Sequence, residues 1–202
     1  PIYNINITPL FYFNDRHRYY NIKIIQSDMD QDIIIKFCIV GEPAVGKTSM
    51  LCQYIHKKFD EKVRPTIGCD FSTKLKSTID GKPVRLQLWD IAGQERFNAV
   101  SKMYLRGALG NSQINLGCVI VCSSTERSTL DETLKWKKII EDNSDYDNDT
   151  NIPCLLVQNK CDLISSDVPE EFQKKSFLDD FAKTHGFCGF VHTSAKDNKN
   201  IE

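Results

Sequence analysis

Between Ile39 and Thr48 the chain reads IVGEPAVGKT: the end of an apolar run, two glycines five positions apart, then a lysine and a hydroxyl. Glycine lets a backbone bend closely around an anion with no Cβ in the way. If Gly41 to Gly46 is a loop between a strand and a helix, its N–H groups and the positive helix N-terminus converge on a phosphate. Lys47 then supplies a cation to the outer phosphates, and the Thr48 hydroxyl is a hard oxygen able to hold Mg2+. Gly41, Glu42, Ala44, Val45, Gly46, Lys47, Thr48 and Ser49 form the candidate phosphate-contacting set. Pro43 interrupts it, because proline has a fixed φ and no N–H to donate. Ala44 to Thr48 still offer donors, so phosphate binding is expected to survive Pro43, while any hydrolysis could change.

Three further motifs extend this chemistry. In WDIAGQE (Trp89 to Glu95), Asp90 offers a carboxylate to a metal's water shell, Gly93 an N–H to a terminal phosphate, and Gln94 an amide that could orient water. In NKCD (Asn159 to Asp162), the Asp162 carboxylate can accept two N–H bonds from guanine, which adenine does not offer in the same arrangement. In TSAK (Thr193 to Lys196), the Ala195 N–H can meet the guanine carbonyl oxygen. Each tetrapeptide is weak alone; four in this order, each after a predicted strand, are specific.

The elements that must carry these motifs follow from hydrophobic pattern. IIIKFCIV (Ile33 to Val40), GCVIVCS (Gly117 to Ser123) and CLLVQNK (Cys154 to Lys160) are continuous apolar runs of the kind buried on both faces of a parallel sheet. FSTKLKSTI (Phe71 to Ile79) alternates and is followed by the turn pair Asp80-Gly81, so VRLQLWD (Val84 to Asp90) is expected to return antiparallel to it. Helices are expected from Lys47 to about Lys58, through TLDETLKWKKIIED, and from about Pro169 to His185 with Gly186 as cap; FVHTSAK (Phe190 to Lys196) is the last strand. Strands alternating with helices make a mainly parallel sheet covered on both faces, with the loops after its strands along one ligand-binding rim.

Bulk properties limit the alternatives. The 202 residues suit one domain with appendages, and 26 basic against 27 acidic residues leave a net charge of -1. No long-range field draws this chain to nucleic acid or an anionic membrane. No apolar run approaches the ~20 residues that span a bilayer. Eight cysteines are scattered without a C-x-x-C pair and read as reduced core thiols. The four histidines share no metal-binding spacing. The acidic stretch Glu141 to Asn151 lacks the glycine and terminal glutamate of a calcium loop and reads as a solvated linker. Residues 1–31, rich in Asn, Ile and Tyr, read as an irregular N-terminal extension, leaving 32–202 as the domain.

With those motifs in place, the chain from about Ile34 to Ile201 resembles a Ras-superfamily small GTPase of the Rab branch. The Rab-like wording is TIGCDF (Thr66 to Phe71), LQLWDIAGQERF (Leu86 to Phe97) and TSAKDN (Thr193 to Asn198). KWK (Lys135 to Lys137), HGF and TSAKDNKNIE are most similar to the Rab subgroup of lysosome-related organelles. The resemblance implies an α/β P-loop NTPase (small G-protein) fold, with a mostly parallel six-stranded sheet and helices on both faces. It implies GTP/GDP and Mg2+ as ligands, with Thr48, Thr66 and Asp90 at the metal. Gln94 would position the attacking water, Phe59 would lie against the guanine ring, and Lys160 would pack over the base. Asn159, Ser194 and Lys196 complete the nucleotide set with Gly93, Asp162 and Ala195.

The function so implied is a slow GTPase switch in vesicle and membrane trafficking. Two loops, roughly 62–70 and 91–104, would be ordered by GTP and released on hydrolysis. Effectors, exchange factors and GTPase-activating proteins would read them through Phe71, Trp89 and Tyr104, although plain core packing also explains three aromatics there. A catalytically impaired guanine-nucleotide-binding module is the alternative. The resemblance places the protein in the cytoplasm, peripheral on the cytosolic face of an endomembrane if a prenylated tail lies beyond Glu202. Three departures accompany it: Pro43; about eight extra residues at 109–116; and no Asp near Ser123. Ending at Glu202, the domain would also lack its C-terminal helix.

Overall fold

The computed structural model describes residues 2–7, 20–25, 33–77, 83–94, 115–143, 152–163 and 168–202. Eight strands are present among them: β1 (Ile2–Ile7), β2 (Tyr20–Ile25), β3 (Ile33–Gly41), β4 (Cys69–Ser77), β5 (Pro83–Ile91), β6 (Asn115–Ser123), β7 (Cys154–Asn159) and β8 (Gly189–His192). Three α-helices accompany them: α1 (Lys47–His56), α2 (Ser128–Asp142) and α3 (Lys175–Thr184). The main sheet has six strands in the order β4-β5-β3-β6-β7-β8. Only the β4–β5 pairing is antiparallel, as the alternating pattern predicted. The Asp80-Gly81 turn that would join them lies outside the described residues.

The two faces of the sheet carry different helices. Leu130, Trp136 and Ile140 of α2 and Leu178 and Ala182 of α3 are buried with Cys38, Val40, Ile120 and Leu156. On the other face Met50 of α1 packs with Ile35, Ile39, Leu86, Val119 and Val157. The continuous apolar strands β3, β6 and β7 therefore have no solvent face, which is why they do not alternate. β4 lies at the sheet edge, and its Phe71 and Leu75 are 48% and 63% exposed. All eight cysteines are free.

Three boundaries differ from expectation. The helix expected over 169–185 divides into a 3-10 turn at Glu170–Gln173 and α3, with Lys174 extended between them. Phe172 is the cause: its ring is buried and its carbonyl accepts from Gln158 Nε2 at 3.3 Å, so that carbonyl is not given to a helix. The last strand stops at His192 instead of Lys196, because Ser194 and Lys199 bond each other's backbone and close a tight turn. Residues 2–7 and 20–25 of the extension expected to be irregular pair as an antiparallel ribbon, separate from the main sheet. Both segments are rich in isoleucine, which favours strands. Gly186 caps α3 as predicted, with Phe187 N–H donating to the Ala182 carbonyl at 2.8 Å.

Candidate nucleotide site

In the parallel register Gly41 stands beside Val121, Asp90 beside Ile39, and Asn159 beside Ser123, so the ends of β3, β5, β6 and β7 share one rim. A cavity of about 540 Å³ opens there. Pro43, Ala44, Gly46, Lys47, Thr48, Ser49, Phe59, Thr66, Gly93, Gln94, Asn159, Lys160, Asp162, Ala195 and Lys196 all line it. The structure thus brings together residues drawn from five separate segments.

Gly41, Glu42, Val45, Asp90 and Ser194 do not line the cavity. Val45 points into the core beneath α1, and only its backbone serves the site. Asp90 stands behind Thr48, which donates to its Oδ2 at 2.5 Å. Asp60, Glu61, Val63, Arg64, Pro65 and Leu163 line the opening as well. Val63, Arg64 and Pro65 fall in the loop expected to be ordered by GTP; sequence reasoning passed over Asp60, Glu61 and Leu163, because nothing in their types or spacing signals a ligand. Tyr104 and the extra residues 109–116 lie outside the described residues.

The end expected to take phosphates is built from the loop Gly41 to Gly46. Gly46 has φ 95°, and a Cβ there would sit 2.4 Å from Asn159 Nδ2, so only glycine fits. Ala44 holds a left-handed φ of 61° without being glycine, a local strain that surrounding bonds must maintain. Lys47 Nζ donates to the carbonyls of Gly41 and Glu42, both at 2.9 Å. Burial lowers the Lys47 pKa to about 8, against the opposing pull of Asp90 and Glu42. An anion in the cavity would raise it again by favouring the charged form.

Three hard oxygens meet beside Lys47. The hydroxyls of Thr48 and Thr66 are 2.7 Å apart, and Thr66 Oγ1 also donates to Asp90 Oδ2 at 3.5 Å. Asp90 is 2% exposed, and its Oδ1 has no hydrogen-bond partner among the described residues. Burial pushes its carboxyl pKa up, while Thr48 and Lys47 pull it down. A buried orphan oxygen next to two hydroxyls is the donor set a small hard cation requires. The residues fit Mg2+.

The opposite end is a web of bonds around Asn159. Its Nδ2 donates to the Val45 carbonyl at 3.0 Å, fastening the phosphate loop to β7. Its Oδ1 accepts from Thr193 Oγ1 at 3.1 Å and from the Ala195 N–H at 3.2 Å. The Ala195 N–H expected to face a base carbonyl is therefore engaged by Asn159. Ser194 Oγ donates to Asp162 Oδ1 at 2.6 Å and fixes that carboxylate at the cavity wall. Lys160 reaches its place through a left-handed φ of 65°. Ser124, which no motif flagged, also donates its hydroxyl to the Asn159 carbonyl at 2.8 Å. The segment lacking the usual Asp is thus well bonded.

Away from the cavity, Phe71 and Trp89 meet edge to face, with centroids 5.1 Å apart. Phe71 is half exposed while Trp89 is half buried, so one ring is presented and the other supports it.

Comparison with known proteins agrees with this geometry. A sequence model described as "Ras family" matches residues 36–202. The mouse protein "Ras-related protein Rab-32" is 41% identical over 169 residues, covering 84% of this chain and 71% of that one. Human "Ras-related protein Rab-7L1" is 39% identical, with coverage of 85% and 78%. "Ras-related protein Rab-32A" of Dictyostelium discoideum is 38% identical, with coverage of 85% and 74%. The chain belongs to the Ras family, as a Rab-type small GTPase.

Proposed function

We propose that this GTPase holds GTP or GDP with Mg2+ in the rim cavity and acts in vesicle and membrane trafficking. The observation that carries the reading is one cavity with two chemically distinct ends. Lys47, Thr48, Thr66, Gly93 and Gln94 gather at one end, and Asp162, fixed by Ser194, stands at the other. Lys47 offsets the charge of the outer phosphates. Asp162 accepts the two N–H bonds that mark guanine, and Phe59 and Lys160 flank the base. Thr48, Thr66 and Asp90 hold the Mg2+, which when bound neutralises charge developing on the phosphate oxygens.

Gln94 is exposed on the cavity and orients the water that attacks the terminal phosphorus. That attack breaks the bond to the bridging oxygen and leaves GDP and phosphate. Charge stabilisation from an activating partner's arginine is worth about 10³–10⁵ in rate, so the intrinsic reaction is slow without one. Loss of the terminal phosphate frees Thr66 and Gly93, and partners that read Phe71 and Trp89 then dissociate. The site of action is the cytosolic face of an endomembrane. No helix among the described residues is long and apolar enough to cross a membrane.

The deciding test compares purine preference in the wild type and Asp162→Asn. The variant should lose roughly 10²-fold in GDP affinity and gain relative affinity for xanthosine diphosphate, whose ring offers the complementary acceptor. Unchanged preference would sink the guanine assignment. Retention of partner proteins on GTP-analogue-loaded but not GDP-loaded protein tests the switch.

A further inference from the structure

The phosphate loop carries a carboxylate, Glu42, at its second position, where a negative charge works against a bound anion. The structure shows where that charge is kept. Glu42 does not line the cavity; its Oε1 accepts from the indole Nε1 of Trp136, 94 positions later on α2, at 3.2 Å. Trp136 is fully buried against the sheet. A buried indole N–H needs an acceptor, and a half-buried carboxylate gains more from a fixed donor than from water it only partly reaches.

The peptide following Glu42 is closely packed on one side. A Cβ on Gly93 would lie 2.3 Å from Pro43 N and 2.5 Å from the Glu42 carbonyl carbon, so Gly93 rests directly on this peptide. Glu42 also gives its carbonyl to Lys47 Nζ at 2.9 Å. The ring of Pro43 fixes φ on the far side. Three groups that serve the terminal phosphate, namely Lys47, Gly93 and the loop itself, thus take their position from one peptide. From this peptide the Glu42 side chain reaches across the fold to Trp136 of α2.

We propose that Trp136 is a positioning residue for the terminal-phosphate end of the site. Acting through Glu42, it holds the Glu42–Pro43 peptide in register with Lys47 and Gly93 and keeps the carboxylate turned from the phosphates. The middle of α2 is thereby tied to the difference between GTP and GDP. This inference rests on the guanine-nucleotide reading above.

The test measures affinity for GDP and for a non-hydrolysable GTP analogue, together with single-turnover hydrolysis. It uses wild type, Trp136→Phe, Glu42→Ala, Glu42→Gln and the double variant Trp136→Phe/Glu42→Ala. Loss of one charge-assisted hydrogen bond should lower the analogue-to-GDP affinity ratio about tenfold in Trp136→Phe and in Glu42→Ala. GDP affinity should stay within about threefold, hydrolysis should slow by a similar factor to the ratio, and the double variant should be no worse than either single. Glu42→Gln keeps an oxygen for the indole and should recover most of the ratio. Glu42→Ala leaves the core indole in place, so the measurement stands even if Trp136→Phe folds poorly. A ratio that does not move, equal loss for both nucleotides, or additive single effects would overturn the proposal. Wild-type protein that binds neither nucleotide would take down the guanine reading along with it.

Discussion

Around the base end of the cavity Asn159, Asp162, Thr193, Ser194 and Ala195 bond one another, and every one of those bonds is made by the protein alone. At the phosphate end the groups also touch, but uneasily. Lys47 is buried with its pKa drawn down to about 8, Asp90 has an oxygen with no hydrogen-bond partner among the described residues and its pKa pushed up, and Ala44 sits in a left-handed conformation. A region whose side chains already hold one another needs little rearrangement to accept a ligand and holds its shape through exchange. A region with unmet electrostatic demand changes most when phosphate and metal arrive. On the proposed reading, the contrast accounts for one cavity that both retains a base and reports on a phosphate.

The comparison can be broken at its strongest point. Lys47→Ala removes a buried cation at the phosphate end and should lower GDP affinity by about 10²–10³-fold, read by displacement of a fluorescent nucleotide. The empty variant should unfold no more easily than wild type, since a desolvated lysine is lost with it. Gln94→Leu should slow single-turnover hydrolysis by roughly 10²-fold through misplaced water, with affinity unchanged. Asn159→Ala strikes the other end: it leaves the Val45 carbonyl, the Thr193 hydroxyl and the Ala195 N–H without their partner and should cost about 2 kcal/mol in urea unfolding.

Acidity sharpens the contrast. In the empty site Lys47 loses its proton near pH 8 instead of 10.5. Between those values the unfolded chain binds more protons than the folded one, so the stability of the empty protein rises with pH over that window. Nucleotide binding has the opposite sign, because bound phosphates restore the lysine's proton. GDP affinity should fall above about pH 8, approaching tenfold per unit, with proton uptake visible as buffer-dependent calorimetric heat. A flat affinity profile would remove Lys47 burial from the account. The smallest effect is expected from Pro43→Gly: a few-fold change in single-turnover rate with affinity kept within threefold. Identical rates would show that the missing N–H and fixed φ at this position do not reach the reaction.

Gly41 to Thr48 could be read as a candidate phosphate loop because its chemistry is local: glycine placement, lysine and hydroxyl all lie within eight residues of chain. The strands were legible for the same reason, since a run such as Cys154 to Asn159 can only be buried on both faces. The break in the helix near Lys174 was not legible, because it depends on a carbonyl claimed by Gln158 from another strand. Nor was the early end of β8, which a turn between Ser194 and Lys199 imposes.

By itself, then, the order of residues determined the motifs, the α/β alternation and most of the side chains that line the rim cavity, all of them set by local backbone and side-chain chemistry. Only the tertiary structure decided that Asn159 fastens the phosphate loop, that Asp90 stands behind Thr48, and that Glu42 answers to Trp136. Those contacts join positions far apart in the chain, and a hydrogen bond is fixed by distance in space, on which sequence separation is silent.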